Sequence, residues 1–181
     1  MKIEPHWRRI SGINTERDGT VGVVWLAYDQ QTGVVRCYDV ALFRRQMPAV
    51  VAEGITARGR YYPMAWRNKD QAYVEPLKKR GIKVLPDPSP DGEGVREAVT
   101  AEIWQKLNSN QFRVLSTVGE WLNEYRTMKR EKATEEFIGY VPENGFPLMA
   151  ATRHAVQMLP FAKAERMQSA ARKNYPDVQV L

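Results

Sequence analysis

The sequence is poor in thiol and imidazole. It carries one cysteine, Cys37, so no intramolecular disulfide can form, and a lone thiol fits a reducing compartment. Its two histidines, His6 and His154, cannot build a structural zinc site with that thiol unless several carboxylates join them. No apolar run approaches the roughly 18–20 residues of a membrane helix. The opening MKIEPHWRRI has neither the apolar centre nor the small-residue cleavage site of a secretory leader. A cytoplasmic location without a membrane partner is therefore expected. A Gly-x-x-x-x-Gly-Lys-Ser/Thr loop is missing too, which removes the phosphate-cradling motif of P-loop enzymes. Nor is there an internal repeat or a low-complexity tract.

What remains is an ordinary globular composition. Of 181 residues, 43% are hydrophobic and 27% charged, enough for one domain with a real core. Lys and Arg number 27 against 21 Asp and Glu, a formal net charge of +6. A basic balance favours phosphates or acidic partners, but alone it does not select nucleic acid over a plain solvated surface.

The first 45 residues read as strands. Arg9–Asn14 is short. Val21–Tyr28 is Val-rich and ends at the polar turn DQQTG. Val34–Leu42 runs back, with Gly33 supplying the turn, so the three make an antiparallel meander. Helix and strand then alternate. MPAVVAEGITARG has Pro48 in a first helical turn and Met47, Val50, Val51 and Ile55 as its apolar face. YYPMAW is a strand. Asp70–Arg80 is helical, its regular part beginning only near Glu75 because of Pro76, and it stops at Gly81. IKVL is a further strand. PDPSPDGEG, with three prolines and two glycines in nine residues, is a surface loop. Val95, Val99, Ile103 and Leu107 recur every four residues along one helical face. FRVL is a strand. Thr117-x-x-Glu120 is a capping box, opening a helix whose buried face is Val118, Trp121, Leu122, Tyr125 and Met128. A last helix starts at Pro147 and carries Leu148, Ala151, Thr152, Ala155, Val156 and Leu159. Trp25, Trp66, Trp104 and Trp121 fall on these faces and read as core rather than base-stacking platforms. The expected class is α/β: a mixed sheet, antiparallel meander plus parallel strands, covered by helices and compatible with a ribonuclease-H-like fold. Residues 1–160 form the single domain, and 161–181 a basic C-terminal helix or tail.

Four segments between about Trp7 and Met158 carry a resemblance: GIN followed by VVWLAYD, YYPMAWRNKD, FRVLSTVGEWLNEYRTMKREK, and PLMAATRHAVQM. In that order they resemble the C-terminal nuclease domain of the large terminase subunit of tailed bacteriophages. The resemblance implies a ribonuclease-H-like fold that cuts DNA with divalent metals held by acidic residues at the sheet's edge. The family's first strand reads Gly-Ile-Asp, its second segment holds another Asp, and an Asp-Asp pair precedes its closing helix. At the matching positions this chain has Asn14, Lys69 or a residue beside it, and Phe146-Pro147. Two Mg²⁺ or Mn²⁺ ions about 4 Å apart need anionic oxygen ligands. A neutral amide, an ammonium and two apolar side chains supply none.

The resemblance therefore implies an inherited nuclease fold whose metal site is lost, with no catalytic residue, metal or cofactor expected. The alternative is an active endonuclease of viral genome packaging with relocated carboxylates, which would need Mg²⁺ or Mn²⁺. Its ligands would come from Asp18, Asp39, Asp70 and Glu143, which form no recognised spacing. Asp18 equally suits a turn, Asp70 a helix N-cap, and Asp39 a pair with an arginine. Pro142 and Gly145 leave the direction of Glu143 unreadable. Arg67, Lys69 and Arg153 flank the family's cleft and are the expected DNA contacts, with satisfaction of a nearby carboxylate as the other reading of Arg153. Lys78-Lys79-Arg80 and Lys129-Arg130-Lys132 lie at helix ends, where the helix dipole is a sufficient reason for them. By the same resemblance the setting is a phage or prophage in a bacterial host cell. The chain would be a stand-alone nuclease-like domain with a regulatory or decoy role, binding double-stranded DNA, the small terminase subunit or the portal.

Overall fold

The computed structural model describes residues 3–128, 141–142 and 144–164. Strands β1 (Arg8–Thr15), β2 (Thr20–Asp29) and β3 (Val34–Arg44) form the antiparallel meander. Most of β1 and β2 is buried at successive positions, which requires cover on both faces of the sheet. β4 (Met64–Ala65) pairs parallel with β1, and β5 (Phe112–Val114) pairs parallel with β3. The order is β4-β1-β2-β3-β5, so β1 lies between β4 and β2. β6 (Lys163–Ala164) pairs antiparallel with the start of β1, which carries sheet pairing past residue 160. The cover comes from α1 (Pro48–Gly59), α2 (Gln71–Lys79), α3 (Glu93–Asn108), α4 (Gly119–Thr127) and α5 (Pro147–Gln157). Among the described residues no helix is long and apolar enough to cross a membrane.

Helix α5 positions the site. It is buried at every residue from Pro147 to Val156, as a core helix must be. Two glycines let its backbone settle onto the sheet. A Cβ on Gly12 would stand 2.1 Å from the Ala151 carbonyl oxygen, and one on Gly22 would stand 2.6 Å from the Pro147 carbonyl carbon. Gly22 is the cross-strand partner of Asn14. Gly12 and Asn14 are two residues apart, so their side positions share one face of the strand. The start of α5 is thereby fixed beside the end of β1, with Asn14 on the helix side.

Several boundaries differ from the sequence expectations. IKVL is not a strand; Val84 makes one isolated parallel bridge to Met64, because β4 itself is only two residues long. α2 begins at Gln71 rather than near Glu75. Pro76 sits in its second turn, where it forgoes a single backbone bond, and burial of Val74 and Leu77 holds the helix. The Thr117 capping box does not form. Val118 takes the N-cap position with no side-chain cap, because it is drawn into the core. On α4 the buried residues are Trp121 and Glu124, while Tyr125 stacks on Trp121 from the exposed side. On α1 the buried stripe is Val51, Ala52 and Ile55; Met47 precedes the helix as N-cap and is 73% exposed, and Val50 is exposed as well. Val99 and Ile103 are buried as their spacing predicts. Trp25, Trp66 and Trp121 are core residues, and Trp104 is half-buried.

Candidate functional site

The end of β1 gathers most of the residues that the sequence singled out. Asn14 is 0% exposed. Its Nδ2 donates to Glu16 Oε1 at 2.8 Å, while its Oδ1 has no hydrogen-bond partner among the described residues. Thr15 donates its hydroxyl to Asp70 Oδ1, and its carbonyl accepts from Arg67 Nη2 at 2.7 Å. Arg67 Nε lies 3.3 Å from the same Asp70 oxygen. Asp70 Oδ2 is a second buried oxygen without a partner among the described residues. Asp70 stands at the N-cap position of α2, yet its carboxylate does not cap the helix; it turns towards β1 instead. Glu16 accepts the Gly145 amide with its other oxygen, at 2.9 Å.

Glu124 of α4 closes the arrangement. Its Oε2 accepts the Leu148 and Met149 amides at 2.9 and 3.0 Å, satisfying donors that the first turn of α5 would otherwise leave orphaned. Phe146 and Pro147 bring apolar surface to the mouth of α5, next to Asn14. Lys69 is exposed in the short 3-10 turn Asn68–Asp70 between β4 and α2. Arg67 and Arg153 are 6% and 4% exposed, so of the three expected DNA contacts only Lys69 lies at the surface. Next to Arg153, His154 is buried with its Nδ1 2.7 Å from Ser89 Oγ.

Burial governs the ionisation of these groups. It raises the pKa of Glu16 and of Asp70, against the opposing pull of their hydrogen bonds and of the Arg67 charge. It pushes Glu124 up to about 7, with the Met149 and Leu148 amides opposing. It brings Arg153 down to about 10, helped by the neighbouring Arg96 charge, and His154 down to about 3, helped by Arg153. The end of β1 thus brings buried carboxylates and guanidinium groups together.

Among the described residues, the fallback carboxylates Asp18, Asp39 and Asp70 do not gather into a metal-holding group. Asp18 decorates the β1–β2 turn, accepting the Thr20 amide at 2.8 Å and its hydroxyl at 3.1 Å. Asp39 pairs with Arg58 at 3.0 Å, away on β3. Glu143, Lys129, Arg130 and Lys132 lie outside the described residues. Of the described members of that set, Asp70 alone accepts a hydrogen bond from β1, at Thr15. Glu16 and Glu124 were not anticipated. For Glu124 a signal was present: it follows Trp121 by three residues, so a carboxylate shares the face of a buried tryptophan.

No protein-family model matches the sequence, and no curated protein does. Solved structures do match. The nuclease domain of the P22 large terminase superposes with a TM-score of 0.81 at 19% identity, over 92% of this chain and 88% of that one. The chain has the fold of a large terminase nuclease domain. The nuclease domain of the SPP1 large terminase, solved with bound Mn, gives a TM-score of 0.67 at 10% identity, over 83% of this chain and 85% of that one. The large terminase nuclease of the thermophilic phage G20c, solved with bound cobalt, gives 0.58 at 17% identity, over 85% and 82%. At such identities the likeness is one of fold, and this terminase-nuclease fold must be tested against metals by its own donors.

The donors do not fit a pair of divalent ions. Among the described residues, no three His, Cys, Asp or Glu side chains form a group that could hold a metal. The chemistry explains this. One Asp70 oxygen is held by a guanidinium and a hydroxyl, Glu16 is held by an amide on each oxygen, and Glu124 caps α5. Asn14 offers one neutral oxygen, and Phe146-Pro147 offer no side-chain oxygen. Two ions of charge +2 need several anionic oxygens that are free to bind.

Proposed function

We propose that this chain is a terminase nuclease-like domain that binds double-stranded DNA without cutting it, in a phage or prophage setting within the bacterial cytoplasm, where it regulates or decoys genome packaging. The observation that carries the reading is the end of β1. There an asparagine bonded to Glu16 fills the first-strand position, and Asp70, which reaches the adjoining Thr15, is paired with Arg67. A cleft balanced in this way keeps its shape but lacks the excess of negative charge on which metal-dependent hydrolysis depends. Phosphates would meet Lys69 at the surface, with Arg67 and Arg153 adding to the field from below. Exposed Arg17, Arg44 and Arg45 lie at the same end of the sheet, in the β1–β2 turn and where β3 finishes. The net charge of +6 supports the same partner.

One observation favours the second reading, an Mg²⁺- or Mn²⁺-dependent endonuclease with relocated ligands: Glu16 and Asp70 accept hydrogen bonds from the adjacent residues Asn14 and Thr15 at the strand end. The bond from Arg67 to Asp70 weighs against it. The test of the main reading is duplex binding followed by fluorescence anisotropy across a salt series, with and without EDTA. Binding is expected at low salt, falling steeply as salt displaces phosphate contacts, and indifferent to EDTA. Lys69→Ala should weaken it and reduce the salt slope by about one. Absence of binding at low salt would contradict the DNA reading and direct attention to the small terminase subunit or the portal.

A further inference from the structure

Arg67 is placed as few arginines are. It lies two residues past the end of β4, is almost wholly buried, gives Nη2 to the Thr15 carbonyl at 2.7 Å and faces Asp70 Oδ1 with Nε at 3.3 Å. Its charge also reaches Glu16. A buried guanidinium persists only where anions and acceptor oxygens repay its desolvation. Those repaying it here are a carboxylate, a main-chain carbonyl and a second carboxylate nearby, all hard oxygen donors of the kind that suit a divalent cation. Two more oxygens at this place, Asn14 Oδ1 and Asp70 Oδ2, are buried without a hydrogen-bond partner among the described residues. Such orphans are rare and costly in a folded chain. Together these features describe a cradle of oxygens built around a positive charge, and the charge present is an arginine.

We infer that Arg67 is the resident cation of this site: its guanidinium balances Asp70 and Glu16 and thereby closes the cleft to divalent metals. The inference rests on the metal-free reading above and deepens it. Two separate barriers then keep metal out. Asn14 withholds a carboxylate, and Arg67 supplies a charge that a metal would have to displace. Asn14→Asp alone restores a ligand and leaves the guanidinium in place, so it admits no ion. Asn14→Asp with Arg67→Gln removes the charge as well, and the carboxylates and orphaned oxygens then face an uncompensated pocket.

The experiment is calorimetric titration of Mn²⁺ into the full chain and its variants. The wild type and Asn14→Asp are expected to take up no ion at this site. Asn14→Asp/Arg67→Gln is expected to bind Mn²⁺ at least tenfold more tightly than Asn14→Asp. Asn14→Asp/Arg67→Lys, which keeps the positive charge, should behave like Asn14→Asp. Adding Asp70→Asn to the binding variant should abolish the gain and so locate the ion. Thermal melts with and without Mn²⁺ cover a variant that folds poorly. Melting raised by Mn²⁺ only in Asn14→Asp/Arg67→Gln is the same gain read another way, and no response in that variant overturns the inference. Equal affinity in Asn14→Asp and in the double variant also overturns it. Mn²⁺ uptake by the wild type that Asp70→Asn removes would overturn the metal-free reading itself. A silent wild type with a silent double variant would overturn only the role given to Arg67.

Discussion

Glu124 gives the residue scale its clearest test, because a carboxylate buried at a helix N-terminus carries a titration with it. Its pKa rises from an ordinary 4.5 to about 7 in the folded chain, chiefly through burial. The folded state therefore holds a proton that the unfolded state has already released. Between about pH 4.5 and 7 the stability from this group falls as pH rises, by about 3 kcal/mol in all, and it is level on either side. His154 acts oppositely: it is kept neutral down to about 3, so its contribution is lost as pH falls below its ordinary 6.5. Glu124→Gln keeps an oxygen for the Leu148 and Met149 amides and loses only the titration. The variant-minus-wild-type difference in Tm should grow from pH 4.5 to 7 and then stay level, with His154 cancelling between the two. A flat difference would mean that Glu124 is solvated and ionised. Asn14 and Phe146-Pro147 could be singled out in the sequence, as could Lys69 or a residue beside it, since each stands within a recognisable segment. Glu124 was harder to see, because the amides it accepts are 24 and 25 residues away.

At the scale of elements, the contact between α5 and β1 decides whether the site is built at all. Gly12→Ala would push a methyl group into the Ala151 carbonyl, which is backbone and cannot swing aside. A loss of about 3 kcal/mol in chemical denaturation is expected, at the upper end for overpacking. Gly119→Ala is the contrast. Nothing lies within 4 Å of its added carbon, so the change should be neutral or slightly stabilising at the start of α4. Equal costs for the two would refute the close approach of α5. Periodicity placed α3 and the meander well because their apolar residues repeat over many positions. It misplaced the starts of α2 and α4, where a short motif competed with burial. Pro76 was outweighed by the buried Val74 and Leu77, and the Thr117 cap by the buried Val118.

For the whole molecule, the sheet order is what turns scattered segments into a nuclease-like cleft. β1 sits between β2, its neighbour in sequence, and β4, which arrives only after α1. The meander follows from local turns and was legible. The parallel pairing of β4 with β1 and of β5 with β3 joins residues 53 and more positions apart, and no periodicity encodes it. The order of elements, a meander followed by strands joined through helices, was what made a mixed sheet with parallel strands expected. The same topology brings Asp70 and Arg67 to the end of β1 together, so a carboxylate comes with its own counter-charge. The most direct measurement of this account is nicking and linearisation of plasmid DNA by the full chain in Mg²⁺ or Mn²⁺. No cleavage above a metal-free control is predicted, for the wild type and for Asn14→Asp alike. Metal-dependent cutting that Asp70→Asn abolishes would contradict the account, showing that the carboxylates of this site were relocated and not lost.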